Sequence, residues 1–360
     1  MNMNELKIGH LIAKMPIIQG GMGIGISLSG LASAVANQGG IGVISAACIG
    51  FREPDLHSNF LEANIRALRK EIRKAKEMTK GILGVNIMVA MSNFADMVKT
   101  SIEEGIDIIF CGAGLPLNLP EFLTPSSQTK LVPIVSSARA AKLIAKKWMD
   151  KYQYLPDAIV VEGPLAGGHL GFQRNQIDDP EYSLEQIVKE VLASVRPLEE
   201  AHQKPIPVIA GGGVYSGEDI HRILSIGASG VQMATRFVAT EECDAALDYK
   251  LAYVKAKEED IGIIQSPVGM PGRAIANPFI HAMQEGKTKP KQCPYQCIKT
   301  CNYQDSPYCI SLALMQAQRG MTEKGLLFVG QNAYKVQEIT TVKQVFDSLR
   351  QEYDICTSLA

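Results

Sequence analysis

PVIAGGGVYSGEDIHRILSIGASGVQMATR, residues 207–236, holds one complete turn of the unit that builds this chain. A short β-branched run, Pro207–Ala210, meets three glycines. A helical pattern, Gly217–Ser225, follows, and a second run, Gly230–Met233, ends at Ala234-Thr235-Arg236. Apolar runs without strict alternation suit parallel strands covered on both faces. Toward the amino terminus the theme recurs at Ala158–Val161, Val132–Val135, Ile106–Cys111, Ile82–Met88, Ile41–Ser45 and Pro16–Gln19. Helical patterns lie between most runs: Ser29–Asn37, His57–Lys80, Phe94–Glu104, Ala138–Lys151 and Ser183–Glu199, with Ser29, Asn93 and Ser137 as candidate caps. Eight strand–helix units predict an α/β fold, a (β/α)8 TIM barrel over residues 1–240. A doubly wound open sheet is the rival. The strand count favours the barrel, as does the spread of Gly-rich segments after several strands.

After Thr240 the pattern changes. Residues 241–292 read as helix, loop and the Pro/Gly-rich stretch Ser266–Pro278. Residues 293–309 hold four cysteines, and 310–354 read as two helices joined by a turn at Gly325–Asn332. Residues 241–360 are therefore expected to be a helical, Cys-containing extension packed on the barrel, with surface to offer a homodimer.

The composition, 46% hydrophobic and 20% charged, fits a soluble globular enzyme. A formal net charge of −1 gives no field to attract a polyanion, which argues against nucleic acid as partner. Lys7 and Lys14 interrupt the amino-terminal apolar residues, and no run approaches the ~18 apolar residues of a membrane span. The expectation is a cytoplasmic protein with no membrane partner and mostly reduced thiols. Cys48, Cys111, Cys243 and Cys356 read as small core residues. The basic run Arg66–Lys80, interspersed with Glu71 and Glu77, reads as a solvated helix face; a docking patch for a phosphate carrier is the alternative.

Four places carry chemistry. Gly20, Gly21 and Met22 follow the first strand, where bare peptide groups can approach a planar ligand. Asn86 ends the third strand between apolar neighbours; its amide must bond barrel backbone or present itself to a ligand. Glu162 ends the sixth strand, and Gly167 and His169 follow in a Gly-rich loop at the end of the barrel where active sites lie. Imidazole titrates near neutral pH, so His169 is the candidate acid–base residue. Finally, Gly212 and Gly213 after the seventh strand and Gln232, Met233, Ala234 and Thr235 after the eighth stand where this fold binds phosphate. Arg236 adds a charge there if its side chain reaches.

The order GGM, GVN, AGGH, AGGG and QMATRF resembles the nitronate monooxygenase family, formerly the 2-nitropropane dioxygenases, with flavin-dependent enoyl-acyl-carrier-protein reductase II enzymes as close kin. The resemblance covers about residues 15–280. It implies an FMN-bound barrel with contacts from Gly20, Gly21, Met22, Asn86, Glu162, Gly167, Gly213 and Gln232 to Thr235, and His169 as catalytic residue. There are departures. Glu162 stands where many members have Gln, Ala234 replaces a common Gly, and Pro164-Leu165 replaces an acidic residue before AGGH.

The leading expectation is oxidation of alkyl nitronates with dioxygen to a carbonyl compound and nitrite, with His169 accepting a proton or stabilising the anion. The alternative is reduction of an enoyl thioester with NAD(P)H as electron donor, in which Arg273 could steer a phosphate-bearing substrate. A third reading, from another class, is a non-catalytic flavin carrier or assembly component. No metal ligand is assigned. The spacing of Cys293, Cys297, Cys301 and Cys309 matches no standard zinc or iron–sulfur pattern, and leaves packing thiols, a metal site or a redox pair open.

Overall fold

The computed structural model describes residues 3–359. An antiparallel hairpin, β1 (Leu6–Ile8) and β2 (Leu11–Ala13), opens the chain. Then come β3 (Ile17–Gln19), β4 (Ile41–Ser45), β5 (Ile82–Met88), β6 (Ile108–Gly112), β7 (Lys130–Val135) and β8 (Ile159–Glu162). Gly168–His169 form the short β9 outside the barrel, and β10 (Val208–Gly211) and β11 (Gly230–Met233) complete the series. The eight strands β3–β8, β10 and β11 pair in parallel and close, with β11 against β3. The open-sheet rival is thereby excluded.

Alternation explains how all-apolar strands serve two cores. Side chains two apart share a face. Ile18, Ile41, Val43, Ile108, Phe110, Val132, Val160 and Ile209 pack together inside the barrel. Their neighbours Ile17, Ile44, Ile109, Leu131, Ile159, Val161, Val208 and Ala210 belong to the outer core under the helices. Leu6, Ile8 and Ala13 of the hairpin join the inner cluster and plug the amino-terminal end of the barrel. The hairpin was not evident in the sequence. Burying Leu6 and Ile8 there contributes roughly 1.5–3 kcal/mol each.

The surrounding helices are α1 (Ser29–Asn37), α2 (Phe60–Met78), α3 (Phe94–Glu103), α4 (Ala138–Tyr152), α5 (Leu184–His202), α6 (Gly217–Ser225) and the single turn α7 (Thr235–Val238). Of the three cap candidates, Ser137 alone caps, accepting from the Ala140 amide. Ser29 lies inside α1, whose first amides bond the Asp244 carboxylate instead, and Asn93 makes no side-chain cap bond. On α2, Ala63, Leu68, Ile72 and Ala75 face inward. Four of its cations are met locally: Arg66 by Glu53 and Asp55, Arg69 by Glu103, Arg73 by Glu104, and Lys76 by the Glu104 carbonyl. Lys70 and Lys74 make no ion pair among the described residues.

Beyond residue 240 the chain forms α8 (Leu247–Lys255), a hairpin of β12 (Ile261–Gln265) and β13 (Pro271–Ile275), α9 (Pro278–Gln284), α10 (Ile310–Gln318) and α11 (Val342–Leu359). The extension is helical as expected, with this one hairpin in the stretch that reads as loop. Pro271 and Gly272, which read as loop residues, sit in β13, a strand that pairs on one side with β12 and on the other with β9. No helix among the described residues is long and apolar enough to cross a membrane.

Candidate active site

The inward face of each strand continues upward past the apolar layers. Two residues beyond Val160 on β8 comes Glu162; on β5 and β11 the corresponding positions are Asn86 and Gln232. Register places Glu162 and Gln232 on either side of Gly211. This polar layer floors a cavity of about 420 Å³ at the carboxyl ends of the strands, within the size range of cofactor sites. The side chains of Asn86, Glu162 and Gln232 have no hydrogen-bond partner among the described residues. Half-buried polar groups that face a cavity without protein partners point to a ligand that supplies them. Burial raises the Glu162 pKa to about 7, so this carboxyl gains its proton as the pH falls through neutrality.

The glycine loops ring the same cavity: Gly20, Gly21 and Met22 above β3, Gly167 above β8, Gly212 and Gly213 above β10, and Met233, Ala234 and Thr235 above β11. Gly212 and Gly213 have φ of +95° and +97°, a left-handed backbone that side chains resist. A Cβ on Gly213 would also stand 3.0 Å from Leu165. Gly167 is needed for close approach, since a Cβ there would meet the Val329 backbone at 2.6 Å. A wall of unscreened peptide groups beside unpartnered amides fits a flat heteroaromatic ligand with an anionic tail.

His169 stands at the rim on β9. Its Nε2 is 2.6 Å from the Ser266 hydroxyl, and its ring meets Phe328 edge-on with centroids 5.0 Å apart. The ladder from β9 to β13, register His169↔Gly272, fixes its backbone. Burial lowers its pKa to about 4, so the ring is neutral at physiological pH. The expected near-neutral titration is thus corrected. A neutral ring can accept a proton or share a hydrogen bond, but it does not rest as a cation for an anion.

Two charged residues behave differently from expectation. Arg273 is 2% exposed and donates to the carbonyls of Pro164 and Ala166, each at 2.7 Å. It pins the loop between Glu162 and His169 and does not reach out to steer a substrate. Arg236 turns away from the cavity to Glu352 (3.3 Å) and Ser348 (3.1 Å) on α11, with its guanidinium over Tyr215.

All thirteen residues proposed from the sequence line the cavity. The sequence reading missed Ser266, Phe328, the strip Val329–Asn332 and Tyr253. This strip crosses the mouth, held by Asn332 Nδ2 donating to the Gly213 carbonyl (2.7 Å) and the Gln331 amide donating to the Leu165 carbonyl (3.1 Å). Tyr253 donates to the Phe328 carbonyl at 2.7 Å. The one available hint was the Gly/Asn-rich turn Gly325–Asn332. All eight cysteines are free thiols, and among the described residues no group of His, Cys, Asp or Glu is arranged to hold a metal ion. Cys48 is more than core filling, because it lines the cavity.

A closed parallel barrel with glycine loops and an imidazole at its carboxyl-end mouth defines an oxidoreductase of the flavin-binding barrel class. Residues 4–352 match the model of the nitronate monooxygenase family, and the chain belongs to that family. It works with a flavin and a small-molecule substrate. A probable nitronate monooxygenase of Staphylococcus saprophyticus is 24% identical over 99% of both chains. A bicyclic carboxyl-CoA dehydrogenase of Mycobacterium tuberculosis is 27% identical over 75% of this chain and 66% of its own. Among solved structures, FabK from Thermotoga maritima superposes with a TM-score of 0.73 at 28% identity, covering 96% of this chain and 94% of its own.

Proposed function

We propose that the cavity holds FMN and that the enzyme oxidises alkyl nitronates with dioxygen to a carbonyl compound and nitrite. One observation carries this reading: a neutral imidazole, fixed by Ser266 and Phe328, opens onto the same cavity as the glycine loops. The peptide groups of Gly212, Gly213, Ala234 and Thr235 would hold the FMN phosphate, and Gly20, Gly21, Met22, Asn86, Glu162, Gly167 and Gln232 would supply the remaining contacts. When bound, the flavin supplies the electron chemistry; the protein positions it and manages protons. Ser266 occupies Nε2, so His169 works through its other ring nitrogen, accepting the acidic proton from the carbon of a neutral nitroalkane or hydrogen-bonding the nitronate oxygen. Ser266 holds the ring's plane, and the Val329–Asn332 strip limits water at the mouth.

The test begins with the visible spectrum of the purified protein and identification of the released chromophore. Nitrite release from a nitronate under air, lost in His169→Ala with flavin retained, supports the reading. A colourless protein that takes up no FMN ends it.

The similarity to FabK supports a second reading, reduction of an enoyl thioester with NAD(P)H as electron donor. Mixing the anaerobic enzyme with NADPH separates the two. Fast bleaching by pyridine nucleotide favours reduction, and nitrite formation without it favours oxidation.

A further inference from the structure

The four-cysteine segment of the extension runs along the cavity wall. The Ser92 amide donates to the Cys297 carbonyl at 3.0 Å, and the Lys299 amide donates to the Ala90 carbonyl at 3.0 Å. This seats Cys297 opposite Cys48, which lies just beyond β4. The two thiols meet at a shared partner. Both reach one hydroxyl: Ser311 Oγ is 3.0 Å from Cys297 Sγ and 3.5 Å from Cys48 Sγ. Cys48 has φ +44°, a left-handed backbone unusual for a side-chain-bearing residue, and such outliers gather where side-chain placement matters. Cys48 and Ser311 line the cavity, and Cys297 stands directly behind the Ser311 hydroxyl.

We propose that Cys48 and Cys297 are a reversible dithiol–disulfide pair oxidised by hydrogen peroxide. The Cys297 sulfur attacks one peroxide oxygen. The O–O bond breaks, a sulfenic acid forms, and the departing oxygen leaves as water. The Cys48 sulfur then attacks the Cys297 sulfur, the S–O bond breaks, and a second water leaves with the Cys48 proton. Two thiols and one peroxide become one disulfide and two waters, with two electrons passing from sulfur to oxygen. A small-molecule dithiol reverses the step by exchange.

The asymmetry of the pair suits these roles. Cys48 and Ser311 beside it lower the Cys297 pKa from the usual thiol value, while Cys297 and burial raise that of Cys48. The thiolate is the nucleophile, so Cys297 attacks first and Cys48 resolves. Cys297 is 5% exposed, which admits peroxide and slows bulky alkylating reagents. The resulting bond would fasten the 293–309 segment to the β4 end of the barrel. This proposal stands apart from the nitronate reading, because its readout is covalent linkage.

The experiment uses the whole protein, reduced, desalted, treated with hydrogen peroxide, then alkylated and mapped as peptides. The expected result is loss of two hydrogens per chain and a Cys48–Cys297 cross-linked peptide that dithiothreitol removes. Cys48→Ser leaves a sulfenic acid at Cys297 that dimedone traps, and Cys293→Ser leaves the cross-link intact. A cross-link joining Cys293, Cys301 or Cys309 instead, or no change in mass, overturns the proposal. So does stoichiometric iron or zinc in anaerobically purified protein with Cys297 blocked. The wild-type map decides the matter even if a variant fails to fold.

Discussion

Ser266→Ala isolates the support of His169 from the flavin site. The lost contact is a 2.6 Å hydrogen bond to a ring nitrogen, made by a serine that is 3% exposed. A typical hydrogen bond is worth about 0.5–1.5 kcal/mol net, and leaving a buried partner unpaired costs about 1–3 kcal/mol. At about 1.4 kcal/mol per factor of ten, the full range spans roughly 2- to 150-fold in rate. The β9–β13 ladder and the Phe328 edge remain, so the expected loss in kcat/KM is about tenfold. The pH profile should move as well. In the wild type, burial holds His169 at about 4, so an acid limb from this ring lies well below neutrality. Removing the hydroxyl admits water, and the limb should shift upward toward the ordinary value near ~6.5. Ser266→Thr keeps the hydroxyl and should restore both rate and profile. The assay is initial nitrite release across pH at equal flavin content. Unchanged kcat/KM and an unmoved acid limb, with full flavin occupancy, would refute the role given to Ser266.

Further expectations follow from single contacts. Glu162 has its folded pKa raised to about 7 while the unfolded value is near ~4.3, so the folded state binds more protons between them and stability falls as pH rises through that window. Glu162→Gln should therefore melt higher than wild type above pH 7 and show no gain near pH 4. Arg273→Met strands two buried carbonyls, at about 1–3 kcal/mol each, and should lower the melting temperature. A raised KM with unchanged melting would instead restore the substrate-steering role. Gly213→Val, at φ +97° and facing Leu165, should yield folded protein with little bound flavin, read from its visible absorbance. Arg236→Ala should loosen α11 by about 1 kcal/mol in chemical unfolding and leave flavin content unchanged.

The barrel was legible because parallel strands buried on both faces cannot disguise themselves. Runs such as Ile41–Ser45 are apolar throughout, and glycines mark where they stop. The polar layer was legible for the same reason: Asn86 and Glu162 interrupt apolar runs at positions no packing argument explains. The hairpin of β12 and β13 was hidden, because Ser266–Met270 is a turn and β13 begins with Pro271, so local composition resembles a rim loop. Ser266 and Phe328 meet His169 across 97 and 159 residues, and no local pattern encodes such a meeting. Arg273 misled for a related reason. Its partners are backbone carbonyls, which every sequence contains and none advertises.

The hairpin that stoppers the lower end of the barrel turns the cavity into a blind well. Phe328 and the Val329–Asn332 strip line it at the opposite, carboxyl-end side. A molecule resting on the polar floor therefore has packed side chains beneath it, and its upper side alone is left for a reaction partner to approach.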